Sequence, residues 1–359
     1  MGAIKRAFYN NILGSGKFDA TDLTGTIPDA NINGITVQAV SSDPPSPTEG
    51  QIWYNTTTDK FRIRATFPGS TAFASGGTMN TPGVSSLANI GNSTAAIAAG
   101  GYSTTVGYHN NSEEYNGSSW TATPNLNQAR RETESAFGTA TAGVVAGGYQ
   151  PPGSPSAYTE EWNGSSWTAG GALGNARYSA GGLGIATAGL CFGGNHPVSV
   201  GTSHTEEYDG SSWTSGGNVP EAHRNTAGFG TQTAGVQTCG QPQSPGVGTV
   251  KTAHYDGSSW TAANNSNIAR RSHGAAGTAQ TAGINVGGDS PGGVLNTSES
   301  YDGTSWTSGP NTAVPIGGGF TGGGSATDAI FVSTPSNTAQ EFTQGSPAVG
   351  NGDLTFTSD

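Results

Sequence analysis

"QARRETESAFGTATAGVVAGGYQPPGSPSAYTEEWNGSSWTA", residues 128–169, holds four short stretches divided by turn signals. The alternation near "SAFG" predicts a first strand, "AGVVAGG" a second ending in Gly-Gly, "YTEEW" a third and "SSWTA" a fourth. Four short strands with turns between them make one antiparallel sheet rather than a helical repeat. The Asn-Gly between the third and fourth predicts a two-residue type I′ turn, because both central positions of that turn take positive φ, which Asn, Asp and Gly tolerate.

The unit recurs. Trp120, Trp167, Trp213, Trp260 and Trp306 are spaced by 47, 46, 47 and 46 residues, a period that falls among propeller blades. Each Trp is expected to pack against a neighbouring sheet and exclude water there. Counting by the third strand gives "EEY", "EEW", "EEY", "AHY" and "ESY", then a degenerate "QEF" at 340–342 preceded by "DAIFVST". That last unit has no Gly-Ser-Ser-Trp strand after it. Upstream of the first unit, "GSTAFASGG" at 69–77 resembles "GSSWTSGG" at 210–217, with Phe73 near the Trp position. The N-terminal strand is therefore expected to complete the sixth sheet, which removes open edges. The expected fold is all-β: a six-bladed propeller over 69–345 behind a mostly irregular N-terminal segment. The acidic pairs Glu113/Glu114, Glu160/Glu161 and Glu206/Glu207 are expected on a solvated strand that resists edge pairing.

These units resemble Kelch-type β-propellers in the Gly-Gly of the second strand, the aromatic of the third and the Trp of the fourth. An Arg ahead of the first strand, as in "ARRSHGAAGTAQTAGINVGG" at 269–288, adds to the likeness, which covers about residues 70–344. It implies a fold and says almost nothing about activity. Cys239-Gly240 interrupts one Gly-Gly, and the sixth unit lacks it.

Composition narrows the function classes. Among 359 residues there are 59 Gly, only 10% charged residues and a net charge of −11. Such a chain suits many short strands joined by tight turns. It has no Lys/Arg run to neutralise a phosphate backbone, so a nucleic-acid partner is not expected. No segment reaches the roughly 18 apolar residues of a membrane helix, so no membrane insertion is expected. Cys191 and Cys239 are too few for a disulfide framework and are expected as buried fillers. The histidines at 109, 196, 204, 223, 254 and 273 form no H-x-x-x-H pair, hydrolase and phosphate-loop motifs are missing, and "GGGFTGGGS" at 317–325 has no Lys. The reading is a chain that is not an enzyme, with no cofactor and no metal site.

Residues 1–48 read as an attachment segment and linker, 49–68 as a β-hairpin ("QIWYN" and "KFRIR"), and 346–359 as a C-terminal tail. "KFDATDLTGTIPDANI" at 17–32 carries isolated Leu23 and Ile27 and cannot bury a core of its own. "IKRAFYNNIL" at 4–13 places Ile4, Phe8 and Ile12 on one helical face. "LTGTIPDANI" is similar to segments near the bases of tailed-bacteriophage fibres, and "GQIWYNTTTDKFRIR" at 50–64 is similar to hairpins recurrent in phage structural proteins. The resemblance implies a virion protein assembled in the host cytoplasm. It would be joined to other virion proteins through Ile4, Phe8, Ile12, Leu23 and Ile27, often as a homotrimer, with a distal domain that meets the host. The implied function is a tail fibre or receptor-binding protein; the alternatives are a capsid or tail decoration protein and a glycan-active enzyme.

One constellation points to a ligand. "ARR" (129–131), "ARY" (176–178), "AHR" (222–224) and "ARR" (269–271) precede successive first strands and hold six of the chain's thirteen Lys/Arg residues. They are expected on the same face as the variable loops between second and third strands, such as "YQPPGSPSAYT" and "QPQSPGVGTVKT". Arg130, Arg131, Arg177, Tyr178, His223, Arg224, Arg270 and Arg271 would form a ring suited to an acidic host glycan, since a guanidinium grips carboxylate, sulfate or phosphate bidentately. The same arginines could instead hydrogen-bond carbonyls of the neighbouring blade.

Overall fold

Strands of three to eight residues rich in Ala, Val and Gly can bury both faces only by stacking sheet on sheet, and the chain does so. The computed structural model describes residues 31–32, 35–36, 38–48, 51–67, 71–133, 135–196, 201–243, 247–317, 322–332, 337–344 and 348–354, and among these there is no helix. Ile4, Phe8, Ile12, Leu23 and Ile27 lie outside the described residues. Two units are distinguished, 71–344 and the pair of segments 1–70 with 345–359.

The larger unit is all-β and propeller-like, with six four-stranded antiparallel sheets among its described residues. Sheet A is formed by Ala88–Gly91, Ala96–Ala99, Ser112–Tyr115 and Trp120–Thr123. Sheet B comprises Ala136–Thr139, Ala142–Ala146, Thr159–Trp162 and Trp167–Ala169. Sheet C comprises Gly181–Ile185, Ala188–Phe192, Thr205–Tyr208 and Trp213–Ser215. Sheet D comprises Ala227–Thr231, Ala234–Thr238, Thr252–Tyr255 and Trp260–Ala263. Sheet E comprises Gly274–Ala279, Ala282–Val286, Ser298–Tyr301 and Trp306–Ser308. Sheet F takes Gly322–Gly324, Asp328–Val332 and Thr338–Gln344 from the C-terminal side, and its fourth strand is Thr71–Thr78. Phe342 is paired with Phe73 in that last ladder. The first strands pack in the order A, B, C, D, E, F and back to A, and all six line one cavity of about 430 Å³.

The core lies between sheets rather than within them. Ile90 and Ile97 of sheet A cluster with Val145, Trp162 and Trp167 of sheet B, and Ile330 and Val332 of sheet F with Tyr115 and Trp120 of sheet A. The Ala-Gly that opens the second strand of sheets B, C, D and E has a packing cause: a Cβ at Gly283 would stand 2.2 Å from the Phe229 ring, and one at Gly189 would stand 2.1 Å from Phe137. A bulky first-strand side chain thus rests on a bare backbone in the next sheet. The repeated Trp also bonds across this junction. Trp167 Nε1 donates to Ser112 Oγ at 3.2 Å, Trp213 to Thr159 Oγ1 at 3.0 Å and Trp260 to Thr205 Oγ1 at 2.9 Å.

Two local readings are corrected. The Asn-Gly connection is not a two-residue turn: Tyr115 pairs with Trp120, so four residues, 116–119, make the bend. Only Gly117 has positive φ there, 89°, while Asn116 Oδ1 accepts the N–H groups of Ser118 and Ser119. An Asx turn at the first position outcompetes the I′ geometry. The first glutamate of each pair is not solvated: Glu113, Glu160 and Glu206 are buried. Glu161 and Glu207 accept hydroxyl hydrogen bonds from Tyr208 and Tyr255 of the next sheet. Glu114 is exposed, and the next sheet presents Trp162, not Tyr, at that register.

In the smaller unit, Gln38–Val40, Ile52–Asn55, Lys60–Phe67 and Ala348–Leu354 lie in one sheet in that order, the first pair parallel and the others antiparallel. The segment read as a C-terminal tail therefore supplies a strand. The segment read as a plain linker also makes specific bonds: Asp43 accepts from Trp53 Nε1 at 3.0 Å and Asn55 Nδ2 at 2.9 Å, and pairs with Arg62 at 3.1 Å.

Candidate binding face

The segment leading into each first strand has three consecutive positions with distinct duties. The second of them bridges the residue that follows the Gly-Gly of its own sheet, or Cys239-Gly240 in sheet D: Ser85 with Tyr102, Arg131 with Tyr149, Tyr178 with Asn195, Arg224 with Gln241, and Arg271 with Asp289. The third is left-handed: Ser86, Glu132, Ser179, Asn225 and Ser272 have φ between 50° and 56°. That conformation turns the backbone sideways, so the last four of these residues donate their N–H groups to the counterpart one sheet earlier. Glu132 bonds Ser86 O at 2.9 Å, Ser179 bonds Glu132 O at 3.2 Å, Asn225 bonds Ser179 O at 2.8 Å and Ser272 bonds Asn225 O at 2.9 Å. A circumferential chain of hydrogen bonds results, and it satisfies donors that no sheet ladder reaches.

The first position is occupied by Arg130, Arg177 and Arg270 in sheets B, C and E, and all three are at most 1% exposed. Arg130 Nη2 meets Glu160 Oε1 at 2.7 Å, and its Nη1 donates to Gly147 O at 3.0 Å and Tyr158 O at 2.8 Å. Arg270 repeats the pattern with Glu299 at 2.7 Å and the carbonyls of Gly287 and Thr297. Arg177 does so with Glu206 and the carbonyls of Gly193 and His204. The carboxylates receive further donors, for Glu160 the N–H and amide of Asn127, each at 2.7 Å. Each pair ties the leading segment to the second and third strands of its own sheet, with each charge hydrogen-bonded to its partner and to main-chain groups.

Sheet D lacks both partners. His223 stands for Arg and Ala253 for Glu. The His223 imidazole is buried, with no hydrogen bond among the described residues and Glu221 3.7 Å away, and desolvation holds its pKa below the usual histidine value. In sheet F the corresponding positions are Ile316 and Gln340, again without the pair.

The second position behaves differently. Arg131, Tyr178, Arg224 and Arg271 are half-buried. Arg131 lies among three tyrosine rings, its Cζ 5.0 Å from the Tyr102 centroid, 5.5 Å from Tyr108 and 5.4 Å from Tyr149. Its Nε is 3.3 Å from Glu132 Oε1. Local hairpins place these rings: Tyr102 pairs with Tyr108 across a short turn, and Tyr149 pairs with Pro155. Tyr149 and Tyr178 meet edge to face at 4.7 Å. Desolvation, then Glu132, raises the Tyr178 pKa, while Arg224 and Arg131 pull the other way, so this hydroxyl feels both cations. Arg271 faces Asp289 at 4.0 Å, and burial raises the pKa of that carboxyl.

Of the eight residues expected in the ring, Arg130, Arg177, His223 and Arg270 are thus interior, and Arg131, Tyr178, Arg224 and Arg271 reach the surface. Tyr102, Tyr108 and Tyr149 escaped the sequence reading, although the first residue after each Gly-Gly is a recurring column that could have been followed. The cavity offers mainly backbone, Gly, Ala and Thr; its one carboxylate, Asp328, accepts from Ser93 N at 3.1 Å and from Ser93 Oγ. No protein-family model matches this chain, and no curated protein matches it.

Proposed function

We propose that the chain is a six-bladed, Kelch-like β-propeller protein of a tailed-phage virion, a tail fibre or receptor-binding protein whose propeller face contacts host surface glycan or protein. The observation that carries the binding role is the half-buried Arg131 held among Tyr102, Tyr108 and Tyr149, on the face where the variable loops emerge. Rigid aromatic side chains beside unspent donors are what recognition surfaces on loops commonly present. The six-bladed form is supported by the cyclic order of the first strands and by the pairing of Thr71–Thr78 with Thr338–Gln344. The virion assignment rests on the N-terminal resemblance.

Fluorescently labelled full-length chain should bind cells of the host, and antibodies against residues 100–108 and 149–156 should block that binding. Gold-labelled antibody should decorate fibres on the particle. Label spread evenly over the head, with no cell binding, would favour a decoration protein instead.

A further inference from the structure

We infer that the arc Tyr102, Tyr108, Arg131, Tyr149, Tyr178 and Arg224 is a subsite for a carboxylated polysaccharide, with sugar carboxylates on Arg131 and Arg224 and sugar rings on the tyrosine faces. The inference rests on the reading that this face meets host glycan, and it names the ligand's chemistry.

The argument starts from a contrast between adjacent residues. Arg130 and Arg131 share one segment, yet Arg130 spends its guanidinium on a carboxylate and three carbonyls. The Arg131 side chain makes no hydrogen bond among the described residues and has only the Glu132 ion pair at its Nε side. Arg224 likewise makes no side-chain hydrogen bond among the described residues. A guanidinium carries five N–H donors, and leaving most of them unspent on a half-buried side chain is costly unless water or a ligand takes them. The tyrosines hold the Arg131 plane by their ring faces, which fixes its direction without consuming donors. This is preorganisation for a planar, bidentate acceptor, and a carboxylate has that shape.

The arc runs through sheets A, B, C and D, so it suits a chain of sugars rather than one small ion. Tyrosine adds an apolar face and a polar edge at low entropic cost, which matches the alternating character of a pyranose chain. Arg271, which leads into sheet E and faces Asp289 at 4.0 Å, stands outside the arc.

The test uses the full chain with three uronic-acid polymers, polygalacturonate, alginate and hyaluronan, and with their carboxyl-reduced neutral forms. Binding is followed by titration calorimetry at two salt concentrations. Binding of at least one acidic polymer is expected, weakening with salt and lost on carboxyl reduction. Arg131→Gln and Arg224→Gln should each weaken it by about ten- to a hundred-fold, as expected for a lost charge-assisted hydrogen bond. Tyr149→Ala should weaken it with the unfolding midpoint unchanged. Equal binding of the reduced polymer, equal binding by both Gln variants, or no binding to any of the three acidic polymers would overturn the inference. If the chain still binds host cells in those cases, the face reading stands and only its chemistry is wrong; if it binds neither cells nor polymers, the face reading falls too.

Discussion

Replacing Arg130 with alanine removes four hydrogen bonds of 2.7, 2.8, 3.0 and 3.5 Å and strands the Glu160 carboxylate, which is fully buried, on N–H donors alone. Breaking a buried ion pair from one side costs about 3–5 kcal/mol. Glu160→Ala should cost a similar amount, because it strands the guanidinium and also the Asn127 N–H. The double variant Arg130→Ala/Glu160→Ala buries no unpaired charge, and sheet D, with His223 and Ala253 in these places, is a natural example of a sheet built without the pair. Its loss should therefore fall short of the summed single losses by roughly 2–3 kcal/mol. Urea unfolding followed by tryptophan emission reads this directly, since six of the seven tryptophans lie in 71–344. The reasoning fails if Arg130→Ala stays within about 1 kcal/mol of the parent, or if the two single losses add within about 0.5 kcal/mol. Unchanged stability with lost cell binding would instead make Arg130 a ligand group.

Asp209, Asp256 and Asp302 accept backbone N–H bonds in their turns, and those bonds, from Ser212, Ser259 and Ser305 foremost, depress their pKa values. A depressed folded-state carboxyl contributes stability above the ordinary carboxylate value of about 3.9, and that stability is lost as pH falls below it. Changing all three to Asn, the residue at 116 and 163, should keep the turns and flatten the acid limb of a Tm-against-pH curve; an unaltered limb would contradict this. Burial, and then Arg270, holds the His273 pKa well below the usual value. Its imidazole stays neutral in the fold and protonates in the unfolded chain, so stability rises with pH and declines as pH drops below about 6.5. His273→Thr, matching Thr133 and Thr226, should reduce the slope between pH 7 and 5, with His223 and His254 carrying the remainder; an equal slope would remove His273 from the account. Ser272, at φ 50°, should accept Gly within about 1 kcal/mol of the parent, whereas Val should cost about 1–2 kcal/mol in a denaturant titration. Equal midpoints for Gly and Val would show that this left-handed position exerts no strain.

Much of the architecture was legible in local signals. The spacing of Trp120 to Trp306, the Gly-Gly pairs and the "GSTAFASGG" copy at 69–77 sufficed for four-stranded units and for the pairing of the N-terminal strand with the C-terminal one. These features are written in single units or in their repetition, and strand alternation and turn chemistry act over a few residues. The turn type at Asn116 was missed because two local conformers compete for the same dipeptide, and the four-residue register with its Asx bonds wins.

The division of labour inside "ARR" could not be read locally. Arg130 and Arg131 are the same residue type, one position apart, and backbone geometry alone sends them to opposite fates. Tertiary structure decides it: the Arg130 position faces a carboxylate 30 residues away across its own sheet, while the Arg131 position bridges the residue after Gly-Gly and meets tyrosines from two sheets. The burial of Glu160 follows from the same long-range pairing, which is why a strand that reads as charged and solvated carries an interior carboxylate. By itself the sequence determined the repeating strand-and-turn units, because hydrophobic period and turn chemistry are short-range. Which charges are spent in the interior and which stay half-buried at the surface was decided only by the tertiary structure, because burial and pairing depend on what the neighbouring strands bring.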